Sequence, residues 1–81
     1  MAVLRLFGPA RDAAGTASAD VPAPSGASVG AALAWAVTTF GDGFADVLAT
    51  SRVWVNGEPA GPDQPLAPGD EVAVLPPTSG G

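Results

Sequence analysis

The chain predicts an α+β fold, a mixed sheet with one main helix packed on one face. Short β-prone runs stand near both ends and around Val55, and a single apolar stripe at helical spacing fills the middle. The order of these runs is strand, strand, helix, strand or strands, turn, final strand. A helical crossover of that length is what parallel strand pairing requires, and the helix can then cover one sheet face.

AVLRLF (Ala2 to Phe7) alternates, with Leu4 and Leu6 on one side and Val3, Arg5 and Phe7 on the other. Gly8 and Pro9 close the run. TASADVP (Thr16 to Pro22) alternates weakly through Ala17, Ala19 and Val21, and is expected to pair with the first strand across the PARDAAG connection. Ser28 is placed to cap a helix, because its hydroxyl can accept from the free N–H groups of the first turn. Val29, Leu33, Ala36, Val37 and Phe40 then form one helical face, and Gly41 stands where left-handed backbone ends helices. Gly30 and the β-branched Val37, Thr38 and Thr39 lower its intrinsic propensity, so packing must hold it. Trp35 falls at the edge of the stripe, as core or as a half-buried flank. Phe44, Val47 and Leu48 predict one or two further helical turns. RVWVNGE (Arg52 to Glu58) is a strand running into an Asn-Gly hairpin turn. PAGPDQPLAPGD is too rich in proline for an interior strand, and EVAVL (Glu71 to Leu75) is the last strand.

Eighty-one residues make one small domain, expected to span residues 1–75 with an extended tail over 76–81. The chain has no cysteine, histidine or lysine; its only basic side chains are Arg5, Arg11 and Arg52. Thiolate metal sites, sulfur nucleophiles and the usual near-neutral proton shuttle are therefore missing, and no metal site is expected. A net charge of −5 and a pI near 4.1 argue against nucleic acid, which demands a cationic footprint. No apolar run approaches the length of a bilayer span, and MAVLRLFGPAR does not read as a leader, so cytoplasmic residence and no membrane partner are the expectation.

Strand periodicity sends Leu4, Leu6, Val53, Val55, Val72 and Val74 toward the helix and leaves Arg5, Phe7, Trp54, Ala73 and Leu75 on the opposite face. Two readings of that second face stand open. It is an apolar docking patch, since tryptophan is enriched at binding hot spots, or Phe7 and Trp54 pack under loops as a second small core.

PPTSGG (Pro76 to Gly81) closes the sequence. Pro76 and Pro77 fix φ near −65° and lack backbone donors, so the sheet ladder must stop there. Thr78 and Ser79 are small, and Gly80 and Gly81 have no Cβ to block a narrow channel. Fully extended, residues 76–81 reach roughly 20 Å from the last strand. A terminal carboxyl is an anion at neutral pH and a poor electrophile, so acyl chemistry on it needs activation, most simply with ATP on another protein. The competing reading is a frayed end.

LFGPARDAAG, VWVNGEPA and QPLAPGDEVAVLPPTSGG resemble the small subunits of molybdopterin synthase, in the sulfur-carrier branch of the ubiquitin-like β-grasp proteins. That resemblance implies that Gly81 is adenylated by an enzyme related to ubiquitin activators, then thiocarboxylated by a sulfur donor enzyme. Gly80 gives close access, and ATP belongs to the activating partner, so no cofactor is bound to this chain. The tail then enters the large catalytic subunit and passes sulfur to a pyranopterin precursor. The protein is a co-substrate with no stand-alone active site. Phe7 and Leu75 match family docking positions. Pro59 stands where the family often has a larger apolar contact residue, and Trp54 is bulkier than the small residue expected at its place. The same tail chemistry would serve carriers for thiazole, cysteine, a tRNA base or a specialised metabolite. Protein modification through Gly81 is the rival from another class; without lysine, side-chain-linked chains of this protein cannot form. A plain interaction module with an incidental tail is the third reading.

Overall fold

Alternating apolar residues in three strands converge on one side of the sheet, and this organises the molecule. The computed structural model describes residues 1–23 and 26–77. Its elements are β1 (Ala2–Leu6), α1 (Gly8–Ala14), β2 (Ser18–Val21), α2 (Val29–Phe40), α3 (Asp42–Leu48), β3 (Arg52–Val55), β4 (Glu58–Pro59) and β5 (Glu71–Leu75). The five strands lie in the order β2-β1-β5-β3-β4. β1 and β5 run parallel at the centre, and the other pairs are antiparallel. The mixed α+β sheet is as the alternation predicts.

Register follows from which residues are apolar. Leu4 stands beside Val72 and Leu6 beside Val74; across β5, Val74 faces Val53 and Val72 faces Val55. Leu4, Leu6, Val72 and Val74 are completely or almost completely buried. Each such side chain taken from water contributes about 1.5–3 kcal/mol. The helices close this side with Val29, Ala32, Ala36 and Phe44, and Leu66 joins them from the proline-rich segment.

Ser28 caps α2 as expected, its Oγ accepting from the Ala31 N–H at 3.1 Å. The buried stripe of α2 is Val29, Ala32 and Ala36, with Leu33, Val37 and Phe40 half-buried beside it. This shifts the predicted face by about one residue: Ala32 joins the buried stripe and Leu33 stays at its edge. Trp35 is half-buried and meets Phe40 edge-on at 6.2 Å. Phe44 in α3 is fully buried, bearing out the extra helical turns.

One connection departs from expectation. PARDAAG is not a hairpin loop: α1 occupies it, although β1 and β2 still pair. Gly8 turns the chain out of the sheet at φ +54°, Pro9 starts the helix, and Gly15 ends it in the left-handed region, its N–H donating to the Arg11 carbonyl at 2.9 Å. Proline at the start and glycine just past the end are known helix punctuation. The helix is too short, with only Ala10 fully buried, to declare a period.

The turn-rich stretch supplies a second unforeseen feature. Its carbonyls cap α2: the Val29 N–H donates to the Gln64 oxygen at 2.9 Å, and the Gly30 N–H to the Pro62 oxygen at 2.8 Å. With Ser28 serving Ala31 and Ala32, no N–H of the first turn is left over. Gly30 permits this approach, for a Cβ there would sit 3.1 Å from the Pro62 oxygen.

Candidate functional site: the open sheet face and the root of the tail

Among the described residues no helix covers the other face of the sheet, and cross-strand register sorts its residues into three rows. The first, farthest from the tail, holds Asp20, Val3 and Glu71. The second holds Ser18, Arg5, Ala73, Trp54 and Pro59. The third holds Phe7, Leu75 and Arg52; the Phe7 N–H prolongs the ladder by donating to the Val74 oxygen at 3.2 Å. Directly beyond Leu75 come Pro76 and Pro77, exposed and outside any strand.

Sequence parity therefore placed Arg5, Phe7, Trp54, Ala73 and Leu75 together correctly. Phe7 is 44% exposed, a large fraction for an aromatic side chain. Trp54, Ala73 and Leu75 are half-buried, and none of the three belongs to the buried core or packs against it. A second small core under loops is not what forms. Pro59 occupies the edge strand, where a missing N–H costs no ladder bond, and lies beside Trp54. Pro76 sits against Gly8: a Cβ at Gly8 would lie 3.5 Å from the proline ring. The first residue of the tail thus rests on the turn that leads out of β1. Thr78, Ser79, Gly80 and Gly81 lie outside the described residues.

Arg52 was not singled out in the sequence, although its parity with Trp54 pointed to this face. It is exposed at the tail end of the patch. Arg5 is engaged with Glu71 (Nε to Oε2 3.4 Å), both half-exposed, a surface pair worth at most about 1 kcal/mol.

The opposite end of the face is fastened by Asn56 and Asp70. Asn56 takes φ +51° in the hairpin turn, donates through Nδ2 to Asp70 Oδ1 at 3.1 Å, and accepts from the Glu71 N–H at 3.0 Å. The Ala67 N–H donates to Asp70 Oδ2 at 2.9 Å. These two hydrogen bonds, the one from Ala67 first, hold the Asp70 carboxyl below its ordinary pKa. Among the described residues, no three His, Cys, Asp or Glu side chains stand together as metal ligands, and no helix is long and apolar enough to cross a membrane.

A mixed sheet in this strand order, gripping one main helix and ending on a central strand, defines a ubiquitin-like β-grasp protein. The ThiS family pattern matches residues 4–81, and the chain belongs to that family. Among solved structures, it is similar to SAMP1, the small archaeal modifier protein of Haloferax volcanii, with 31% identity, TM-score 0.85, and 99% and 98% of the two chains covered. It is also similar to a Pyrococcus furiosus protein described as a candidate molybdopterin converting factor, subunit 1, with 25% identity, TM-score 0.85, and 95% and 97% covered. Urm1 from Trypanosoma brucei, at 22% identity and TM-score 0.76 over 99% and 94% of the chains, shares the fold.

Proposed function

We propose that this protein is a cytoplasmic sulfur carrier and the small subunit of a molybdopterin synthase. The observation that carries the reading is the family match running through Gly81, on a chain whose open apolar face adjoins the root of that tail. An E1-like adenylating enzyme joins the Gly81 carboxylate to AMP, releasing pyrophosphate from ATP. A sulfide equivalent from a donor enzyme then expels AMP and leaves a thiocarboxylate. Pro76 and Pro77 hold the tail off the sheet, and Thr78, Ser79 and Gly80 pass it into the large catalytic subunit. Phe7, Leu75, Trp54 and Pro59 form the docking surface. The likeness to the Pyrococcus protein supports molybdopterin as the destination.

A second reading has its own support in the 31% identity with SAMP1: transfer of Gly81 to an amine of another protein. Intact-mass analysis after incubation with ATP, the activating enzyme and a sulfur donor separates the two. The carrier reading expects one oxygen exchanged for sulfur, lost when Gly80 and Gly81 are deleted, and sulfur transfer to the pyranopterin when the large subunit is added. Covalent adducts with other polypeptides and no thiocarboxylate would replace it with the modifier reading. A thiocarboxylate that the large subunit leaves untouched would redirect it to another sulfur acceptor.

A further inference from the structure

The eight acidic and three basic side chains are not spread evenly over the surface. The three rows of the open face carry Arg5, Arg52, Asp20 and Glu71, which cancel, and Asp70 stands at the end farthest from the tail. The other seven, Arg11 against Asp12, Asp42, Asp46, Glu58, Asp63 and Asp70, account for the whole net charge of −5. Within the face the charges are also ordered. Asp20 and Glu71 lie in the row farthest from the tail, and Arg52 lies in the last row, on β3 directly beside Leu75 of β5. Arg5 is occupied by Glu71, whereas Arg52 has no carboxylate within ion-pair distance among the described residues.

From this order, and resting on the carrier reading, we propose that Arg52 is a docking and specificity residue. It pairs with a carboxylate on the adenylating enzyme at the mouth of the channel that takes the tail. A cation at the tail end of this face would hold a partner's acidic group on an otherwise negative molecule, and it fixes which way round the apolar patch is laid down. Arg52 acts at the rim and not on the chemistry. Its side chain extends only a few ångströms, while Gly81 lies six residues beyond Leu75, a segment that spans roughly 20 Å when fully extended.

The test is ATP–pyrophosphate exchange by the adenylating enzyme of the same genome, with the full chain as the varied substrate, over a range of salt. Arg52→Glu should raise KM about 10-fold at low salt with kcat unchanged, and Arg52→Gln should raise it less. Added salt should narrow the gap between Arg52→Gln and the wild type, because it screens the attraction that only the wild type has. Arg11→Glu makes the same change of charge off this face and should leave KM within about twofold, since charge at a distance is screened. Equal KM for Arg52→Glu and the wild type, or equal rises for Arg52→Glu and Arg11→Glu, would overturn the assignment while leaving the carrier reading in place. A fall in kcat at saturating Arg52→Glu, with KM unchanged, would also overturn it by moving Arg52 to the reacting centre. No exchange with the wild-type chain would remove the carrier reading and the role of Arg52 together. Circular dichroism of each variant confirms that the fold is kept.

Discussion

The two faces of the sheet are built from the same strands, one residue apart, and do opposite things. On the helix side Leu4, Leu6, Val72 and Val74 are sealed, and each is worth far more to stability than to any partner. On the open side Arg5, Phe7, Trp54, Ala73 and Leu75 take alternate positions in or just beyond those strands and stay outside the core. Alternation lets a thin domain separate what folds it from what it leaves exposed.

The widest gap between the faces should appear when one aromatic is removed from each. Phe44→Ala empties the centre of the core and should cost about 3–5 kcal/mol in urea denaturation, a large part of a small domain's total stability. Trp54→Ala should cost about 1 kcal/mol or less, yet weaken binding to the activating enzyme by about 2 kcal/mol in titration calorimetry, as a hot-spot residue does. Comparable stability losses in the two variants would mean that the open face is structural after all.

How far the sequence reveals each face follows from what signals each leaves behind. Period-two alternation in AVLRLF, RVWV and EVAVL is a local pattern, so both faces were readable, and the Asn-Gly pair announced its turn. Residues whose partners are distant in sequence were not readable. Ala32 is buried by the way α2 packs in the folded chain, not because alanine is strongly apolar. The α2 cap by Pro62 and Gln64 is made of backbone carbonyls, which leave no composition signal. α1 had only punctuation to show, and Arg52 leaves no signal of its own beyond its parity with Trp54. The tail residues Thr78 to Gly81 rest on sequence and family pattern alone.

A smaller effect sharpens the helix side. In an open helix, Gly30→Ala would be favourable by up to about 1 kcal/mol, since glycine is the poorer helix former. Here the new methyl meets the Pro62 oxygen that accepts from the same residue's N–H, so the loop must move and weaken the cap. The expected result in urea denaturation is a net loss of about 1 kcal/mol, of the order of overpacking elsewhere. A gain in stability would show that the loop yields freely and contributes little to holding α2.

The smallest effect belongs to the end of the open face farthest from the tail, and it is set by pH. Asp70 has its folded pKa lowered by the Ala67 N–H and by Asn56, relative to an unfolded value near 3.9. A carboxyl that is more acidic when folded adds stability above its unfolded pKa, and that contribution disappears as pH falls through the folded value. Asp70→Asn keeps the shape but not the charge. The stability difference between wild type and variant should therefore be constant at neutral pH and shrink below about pH 4, as urea denaturation at stepped pH would record. The loss should begin locally, with earlier hydrogen exchange at Glu71 than at Val74, because the Glu71 N–H is held by the Asn56 side chain that Asp70 positions. A difference that stays flat down to acid would mean that the Asn56–Asp70 contact holds this end of the sheet by geometry alone, with no part played by the charge.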